Sequence, residues 1–347
     1  MTARRFWVFI EQEQGKVHPV SWELLGVARN LASQVQEEAE AAGVEVLVEG
    51  ILLGHNVRGI AEEAIKYGAD HVYLMDDPVL EHYRNCPYYQ SIVAVAGKHQ
   101  PEVFLIGATT LGRDLAGAVA TSLRTGLTAD CTQLEMGVVR GADQQLLLAT
   151  RPAFGGNIMA TIVCRRHQPQ MSSVRPRVFP TPAYNPDAEG EIIQEDVGAT
   201  EEGARACILE FILAKEDTVD IEYSDVIVTG GRGLGSPEGF ELIKSLADAM
   251  GGVVGASRPC VDAGWISAAH QVGQSGKTVR PKVYVAAGVS GALQHKVGMQ
   301  SSDFIIAINT DPNAPIFEVA DVGIVGDLFE VIPAMIAEIN ARKEASA

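Results

Sequence analysis

The sequence has few cysteines and few basic residues, and each shortage excludes a class of protein. Its five cysteines are widely spaced and form no CxxC pair, so they indicate neither a disulfide framework nor a zinc or iron–sulfur site. Only 27 lysines and arginines stand against 44 acidic residues, which gives a formal net charge of -17. That balance argues against a general nucleic-acid surface, because phosphate binding relies on clustered basic side chains.

Long apolar runs are also missing. No stretch reaches the ~18 consecutive apolar residues that a membrane helix needs. The apolar run Phe6–Ile10 near the N-terminus is too short for the core of a secretion signal. We therefore expect a cytoplasmic protein with no direct membrane insertion.

Apolar residues and glycines are abundant. The chain of 347 residues is 47% hydrophobic and contains 35 glycines, which is typical of packed strands and helices joined by tight turns. Because domains cluster at ~100–200 residues, this length predicts two domains.

The first half alternates short apolar runs with helical patterns, as a succession of β-α-β units does. Strands are predicted over Phe6–Ile10, within Val44–Leu53, over His71–Met75 and over Val103–Ile106. A helix between the first two is indicated by apolar residues at spacings of three and four: Leu24, Leu25, Ala28, Leu31, Ala32 and Val35. The pattern predicts a parallel, doubly wound sheet.

The helical period is lost between Thr128 and Val174. Strands are predicted there over Leu146–Thr150, Met159–Val163 and Met171–Val174, and we interpret them as an antiparallel extension of the first domain.

The segment Asp187–Gly203 contains seven acidic residues and no basic one. With few apolar positions it is not expected to pack, so it predicts a linker about which the second domain reorients. The predicted organisation is an N-terminal α/β domain over 1–186, an acidic linker over 187–204 and a C-terminal α/β domain over 205–347.

The C-terminal domain has the same α/β character. Strands are predicted over Asp225–Thr229, Val283–Ala287 and Phe304–Asn309, with a helix over Phe240–Met250. Two common nucleotide signatures fail in it. The third glycine of GxGxxG would fall at Ser236, and the first glycine of a P-loop would fall at Gln271.

Four loops rich in small and polar residues remain: Gly230–Gly233, Gly255–Arg258, Gly273–Lys277 and Gly288–His295. At the carboxyl ends of parallel strands such loops leave backbone N–H groups free to hold a pyrophosphate. A single loop of this kind is more often an ordinary tight turn, but four of them favour one elongated dinucleotide.

Single side chains in this region have plainer interpretations. Arg258 fits a solvated turn, and His295 fits a packing histidine. Asn309 fits the start of a turn, and Asp327 fits the N-cap of a helix.

The order of several motifs resembles the alpha subunit of the electron-transfer flavoproteins. The resemblance is carried by Val283–Met299, Ile306–Phe317, Gly255–Arg258, Gln271–Lys277 and Ala320–Phe329. In the first half it continues through segments with matching order: Gly107–Leu115, Thr125–Cys131 and Arg151–Asn157. It therefore spans nearly the whole chain and implies a mainly parallel, Rossmann-like sheet in each domain.

The resemblance implies FAD as the cofactor. The residues at the matching positions are Arg232, Ser257, Arg258, Val272, Gly273, Gln274, Ser275, Ser290, Gly291, Ala292, Leu293, Gln294, His295, Asn309, Asp327 and Leu328. It assigns the serines and loop amides to the pyrophosphate, and Asn309, Asp327 and Leu328 to the adenosine end. Arg258 is expected at the N5 side of the isoalloxazine, with Gln274 or Ser275, and His295 at the N1–C2 carbonyl edge.

One position departs from the family pattern, since Thr310 stands where many relatives have a lysine. No catalytic residue and no metal is expected, because the task is to carry electrons rather than to form or break bonds.

The resemblance also implies partners. These are a smaller beta subunit, against which the first domain would pack, flavin dehydrogenases such as an acyl-CoA dehydrogenase, and a ferredoxin, flavodoxin or quinone reductase as the other redox partner. The segments Ser21–Gly26 and Leu80–Tyr83 are more similar to the group that takes electrons from NADH and bifurcates them.

Two alternatives stay open outside this function. A nicotinamide-dependent oxidoreductase on a related sheet predicts the intact glycine fingerprint, which is absent. A subunit that has lost its flavin predicts disrupted loops, whereas Arg258, Ser275, His295 and Asn309 are all present.

Overall fold

Two parallel sheets organise the chain in the computed structural model, which describes residues 3–142, 144–153, 158–201, 203–204, 206, 208–210 and 221–346. The chain separates into two units, Met1–Glu210 and Phe211–Ala347. Cys207 and residues 154–157 of the Arg151–Asn157 motif lie outside the described residues.

The first unit alternates strands and helices as predicted. Its strands are β1 (Ala3–Ile10), β2 (Gln12–Glu13), β3 (Lys16–Val17), β4 (Glu45–Gly54), β5 (His71–Asp76), β6 (Val103–Gly107), β7 (Leu127–Cys131), β8 (Gln133–Gly137), β9 (Leu146–Ala153), β10 (Ile158–Ile162), β11 (Gln170–Val174) and β12 (Glu191–Gln194). Its helices are α1 (Val20–Ala41), α2 (Arg58–Lys66), α3 (Asn85–His99) and α4 (Thr110–Leu123).

Seven of these strands form one parallel sheet in the order β12-β5-β4-β1-β6-β11-β7. Alternate residues of β1 enter different cores: Phe6 and Val8 face the helix α1 side, and Trp7 and Phe9 face the other. Because both faces are covered, the strands are apolar at almost every position, which is the signature of a buried parallel strand.

The structure corrects the antiparallel extension. A three-stranded antiparallel sheet exists, in the order β10-β9-β8. The predicted strand Met171–Val174, however, belongs to β11, which lies parallel between β6 and β7 in the large sheet. Only Met171 and Val174 are apolar in this strand of five residues, so its pattern does not distinguish the two settings.

The structure also corrects the linker. Strand β12 lies inside the predicted 187–204 segment and pairs with β5 at the edge of the large sheet. The two units divide after Glu210, not within 187–204. The segment is acidic, but an edge strand needs only a few apolar contacts to pack. Here Ile192 and Ile193 provide them.

The second unit is a five-stranded parallel sheet in the order β14-β13-β15-β16-β17. Its strands are β13 (Val226–Gly230), β14 (Val253–Ala256), β15 (Val283–Ala287), β16 (Ile305–Asn309) and β17 (Val322–Val325). Its helices are α5 (Gly239–Met250), α6 (Arg258–Asp262), α7 (Leu293–Lys296) and α8 (Leu328–Ser346). The fold class predicted from the sequence, two α/β units on mainly parallel sheets, is confirmed.

Helix α5 shows how local sequence sets these elements. Its apolar residues Phe240, Ile243, Leu246 and Ala247 recur at spacings of one to three and are all buried. It ends at Gly251, which adopts a left-handed φ of 69° that glycine favours. No helix within the described ranges has the length and apolarity needed to cross a bilayer.

Candidate functional site

The strand order of the second unit marks where a ligand would lie. After β13 the chain adds β14 on one side and then crosses to add β15 on the other, so the order reverses between β13 and β15. In open α/β sheets the crevice outside the carboxyl ends of the strands at this reversal is the usual binding position. The loops that leave β13 and β15 are Gly230–Gly233 and Gly288–His295.

These two loops touch through their backbones. The N–H of Gly231 donates to the carbonyl of Ala287 at 2.9 Å, and that of Gly233 to the carbonyl of Gly288 at 3.0 Å. A Cβ on Gly231 would lie 2.2 Å from the Gly288 oxygen, so no other residue fits. Arg232 is exposed on this loop.

The loop after β14 joins the same edge. Ser257 is buried, and its N–H donates to the carbonyl of Gly230 at 3.0 Å. Arg258 begins α6 with an exposed side chain, whose Nε lies 3.3 Å from Asp262 Oδ2. In this structure Arg258 therefore makes the solvated pair of a surface turn, while its backbone lies at the crevice.

Residues 272–275 are connected to two of these loops. The N–H of Val272 donates to the carbonyl of Ala256 at 2.9 Å, and that of Gln274 to the carbonyl of Gln294 at 2.7 Å. Gly273 has a φ of 141°, and Ser275 Oγ accepts a hydrogen bond from Gln271 Nε2 at 3.1 Å.

The loop Gly288–His295 is held from below by the next strand. Asn309, at the end of β16, donates from Nδ2 to the carbonyl of Val289 at 2.9 Å. Gly291 has a φ of 86°, and a Cβ there would lie 2.2 Å from the backbone nitrogen of Ile316. The carbonyl of Ser290 accepts from that same nitrogen at 3.1 Å.

The last two predicted residues start helix α8. Asp327 Oδ1 accepts from the N–H of Phe329 at 2.9 Å, which is an N-cap bond. Leu328 is buried, and a Cβ on Gly288 would come within 2.9 Å of its Cδ2. The interpretation of Asp327 as a cap is confirmed, and Leu328 lies next to the β15 loop.

His295 lies under the loop rather than at its surface. Its Nε2 is 3.0 Å from the hydroxyl of Tyr284, and its Nδ1 is buried with no hydrogen-bond partner among the described residues. Burial lowers the pKa of His295 to about 4, and the nearby Val272 carbonyl opposes this shift without the geometry of a hydrogen bond to Nδ1. The imidazole is neutral at neutral pH.

The structure thus links all of the predicted loops at one edge of one sheet, through short hydrogen bonds or van der Waals contact. Two residues that sequence reasoning missed are Tyr284, which contacts His295, and Gln271, which contacts Ser275. Both residues lie in segments that carry the family resemblance, Val283–Met299 and Gln271–Lys277, but the resemblance assigns no role to either. Tyr284 occupies an ordinary apolar strand position, so its pattern alone does not mark it as a contact of His295.

The edge provides donors for an anionic, elongated ligand. Among the described residues, the backbone N–H groups of Ser275, Ser290 and Gly291 meet no protein acceptor. Free amides in consecutive loops are the usual device for holding phosphate oxygens. The part of the chain that the structure describes contains no cluster of His, Cys, Asp or Glu that could hold a metal ion.

The fold and the edge define a protein of the nucleotide-binding α/β class. Comparison with known families then gives the particular one: residues 6–200 match the electron transfer flavoprotein domain, and residues 220–300 match the electron transfer flavoprotein FAD-binding domain. The chain belongs to the electron-transfer flavoprotein alpha-subunit family.

Similar proteins cover nearly the full length. The chain is 50% identical over 337 residues to the electron transfer flavoprotein subunit alpha of Thermoanaerobacterium thermosaccharolyticum, covering 97% of this chain and 98% of that protein. It is 49% identical over 339 residues to that of Megasphaera elsdenii, covering 97% and 96%. It is 48% identical over 343 residues to the protein FixB of Azorhizobium caulinodans, covering 98% and 89%.

Proposed function

We propose that the carboxyl edge of the second sheet binds FAD. The observation that carries the proposal is the set of linked loops at the β13/β15 reversal, with free amides at Ser275, Ser290 and Gly291. The proposed contacts are Arg232, Ser257, Arg258, Val272, Gly273, Gln274, Ser275, Ser290, Gly291, Ala292, Leu293, Gln294, His295, Asn309, Asp327 and Leu328.

Bound FAD supplies a centre that accepts and releases electrons one at a time. The free amides of the 273–277 and 288–295 loops hold the pyrophosphate. Residues Asn309, Asp327 and Leu328 form the adenosine end. Arg258, exposed at the start of α6, is free to leave Asp262 and place its charge against the isoalloxazine, since an exposed pair of this kind contributes little to stability.

His295 contributes a neutral group to the flavin end. Because both ring nitrogens are covered, it acts on the cofactor through the position of its loop and through its capacity to take up a proton when negative charge arrives nearby. Tyr284, fully buried on β15, holds the ring in that place.

We propose that the chain is the FAD-carrying subunit of a heterodimeric electron-transfer flavoprotein. In this function it pairs with a smaller beta subunit and carries electrons between flavin dehydrogenases, such as an acyl-CoA dehydrogenase, and a ferredoxin, flavodoxin or quinone reductase. The cytoplasm is the compartment proposed for it. The matches of residues 6–200 and 220–300 to the two domains of this family support the proposal.

Bifurcation of electrons from NADH is a special case of this function. It is tested by stopped-flow reduction of the heterodimer, in which rapid reduction by NADH supports bifurcation and slow or absent reduction indicates a simple shuttle.

The FAD proposal is tested by purifying the chain together with the smaller subunit. A yellow preparation with one FAD assigned to the second unit of this chain is expected. Gly231→Val in that unit should release the flavin, because its side chain would overlap the Gly288 carbonyl. A colourless wild-type pair that instead binds NAD(H) would establish the nicotinamide-dependent alternative.

A further inference from the structure

A short loop of the second unit contains a buried polar side chain that has no role in the site so far. Residues 271–277 lie between α6 and β15 and are closed at their base. The N–H of Lys277 donates there to the carbonyl of Gln271 at 2.7 Å, and that of Gly273 to the carbonyl of Lys277 at 3.1 Å. Ser275 is exposed at the tip, and Gln271 at the base is buried. The loop therefore has a fixed base and an accessible tip.

The side chain of Gln271 reaches from the base of this loop to its tip. Its Nε2 donates to Ser275 Oγ at 3.1 Å, within the normal range for an N–H···O bond. A Cβ on Gly276 would lie 2.8 Å from Gln271 Cγ and 2.4 Å from the Gln271 carbonyl oxygen. The loop closes so tightly over Gln271 that only glycine fits above it, and the amide group is confined where it meets Ser275.

This bond determines which role remains for the Ser275 hydroxyl. A serine hydroxyl can donate one proton and can accept at its oxygen, whereas an amide NH2 group can only donate. Because Ser275 Oγ accepts from Gln271, its own proton points elsewhere, and no residue in the described ranges accepts it. The neighbouring N–H of Gln274 bonds to the carbonyl of Gln294, which keeps this tip beside the 288–295 loop. The hydroxyl proton is therefore available at the crevice that the linked loops form.

We propose that Gln271 is a positioning residue, which fixes the Ser275 hydroxyl as a hydrogen-bond donor to the bound cofactor. This inference rests on the FAD site of the proposed function and adds a residue that acts on that site from beneath it. The accepting group is an electron-rich atom of FAD, either a pyrophosphate oxygen or an atom of the isoalloxazine ring. A hydroxyl that already accepts one hydrogen bond is a stronger donor of another, so Gln271 also strengthens this contact.

Gln271→Glu distinguishes this role from a purely structural one, because it keeps the size of the side chain and reverses the bond. A carboxylate has no proton to donate, so the Ser275 hydroxyl must donate to it and is lost as a donor to FAD. Gln271→Met gives a second variant without a new charge. It removes the bond and leaves the Ser275 hydroxyl without a fixed direction.

The test measures the Kd of FAD for the full chain paired with the smaller subunit. Gln271→Glu and Ser275→Ala should each raise this Kd about tenfold, since both remove the same hydrogen bond, and Gln271→Met should raise it less. The matched control is Gln300→Glu, which makes the same change at an exposed position beyond α7. It should bind FAD like the wild type.

A double-mutant cycle shows whether Gln271 acts through Ser275. Once Ser275→Ala has removed the hydroxyl, neither Gln271→Glu nor Gln271→Met should weaken FAD binding further. An equal effect of the Gln271 variants with and without the hydroxyl would overturn the proposal, since their effect would not depend on Ser275. If only Gln271→Glu fails to fold, the same cycle with Gln271→Met decides.

The reduction potential of the bound flavin identifies the accepting group. If the isoalloxazine ring accepts the proton, Gln271→Glu and Ser275→Ala both make the potential more negative, because the reduced ring carries more negative charge and gains more from the donor. If the pyrophosphate accepts it, binding weakens at an unchanged potential. Either result, with a non-additive cycle, supports the positioning role.

The wild-type pair separates this proposal from the proposed function. If it holds FAD and both Gln271 variants bind FAD as tightly, the positioning role is wrong and the FAD site stands. Lower stability to denaturant at an unchanged Kd would assign Gln271 a structural role alone. If the wild-type pair binds no FAD, both proposals fail.

Discussion

Burial acts in opposite directions on acids and bases, and each unit contains one example. In the first unit burial raises the pKa of Glu11 to about 7; the hydrogen bond from Thr109 opposes the shift, and the charge of Glu13 adds to it. In the second unit burial lowers the pKa of His295 to about 4. Folding therefore releases a proton from His295 and takes one up at Glu11 in the pH range where both titrate.

His295 should make the second unit less stable in acid. Its folded pKa lies below the unfolded value of 6.5, so its contribution to stability is present above pH 6.5 and is lost as the pH falls toward 4. The loss is about 3 kcal/mol between these limits. His295→Gln should remove this slope from denaturant unfolding curves of the second unit. His167→Gln, at an exposed site, should leave the slope in place, and a slope that survives His295→Gln would contradict the assignment.

Glu11 should have the reverse effect on the first unit. Its folded pKa of about 7 lies above the unfolded value of 4.5, so stability is highest below pH 4.5 and is lost as the pH rises to 7. In the wild type the Thr109 hydroxyl donates to Glu11 Oε2 at 2.7 Å. Glu11→Gln keeps a side-chain oxygen that accepts this bond, but the amide cannot ionise. At pH 8 it should stabilise the first unit by up to about 3 kcal/mol, with little effect at pH 4.5. Equal stability of variant and wild type at both pH values would rule this out.

At the scale of single elements, β12 depends on an ion cluster at its end. Glu195 is buried just beyond the strand, 2.8 Å from Lys98 Nζ and 2.8 Å from His99 Nε2 at the end of α3. Burial opposes ionisation, but the hydrogen bonds from Lys98 and His99 outweigh it and hold the pKa of Glu195 below its usual value. The cluster fastens an acidic edge strand to the body of the first unit.

Glu195→Gln should loosen β12 without unfolding the sheet. Removing one charge from a buried, hydrogen-bonded cluster costs about 1–3 kcal/mol, so amide exchange in Glu191–Gln194 should accelerate roughly tenfold or more. The matched control is Glu191→Gln in the same strand, whose side chain is 71% exposed. It should change exchange little. Identical exchange in the two variants would show that the cluster does not hold the strand.

The same element shows what a sequence can and cannot predict. Seven strands of the two parallel sheets are short apolar runs that the sequence identified correctly: β1, β4, β5, β6, β13, β15 and β16. The sequence predicts a linker where β12 lies, because the partners of Glu195, Lys98 and His99, lie almost a hundred residues away in the chain. A local sequence pattern does not show a contact between residues so far apart in the chain.

At the scale of the whole molecule, the parts of the site that require glycine could be predicted from the sequence. Close backbone approach or a left-handed φ requires glycine at Gly231, Gly288 and Gly291, so the loops that contain them are visibly rich in glycine. The burial of His295 against Tyr284 was not predictable, because it depends on which face of β15 meets the loop. The tight loops were therefore found from the sequence, and the side-chain partners were not.

FAD binding is proposed for the second unit and contact with the smaller subunit for the first, and one substitution should separate these two roles. Gly291→Ala would bring a Cβ to 2.2 Å from the backbone nitrogen of Ile316 at a φ of 86°. Because backbone cannot move aside cheaply, the 288–295 loop must shift, and FAD affinity should fall at least about tenfold. The first unit contains none of these residues, so its association with the smaller subunit should stay at the wild-type level.

The control keeps the backbone strain and removes the clash. Gly264 also has a left-handed φ, of 71°, but a Cβ there meets no atom within 4 Å. Gly264→Ala should cost about 1 kcal/mol of stability and retain FAD. Absorbance of bound flavin and subunit association are measured on the same samples of both variants. If Gly291→Ala keeps its flavin, the cofactor does not rest on the loop after β15, since no arrangement of that loop accommodates the added methyl group without moving the amides that would hold it.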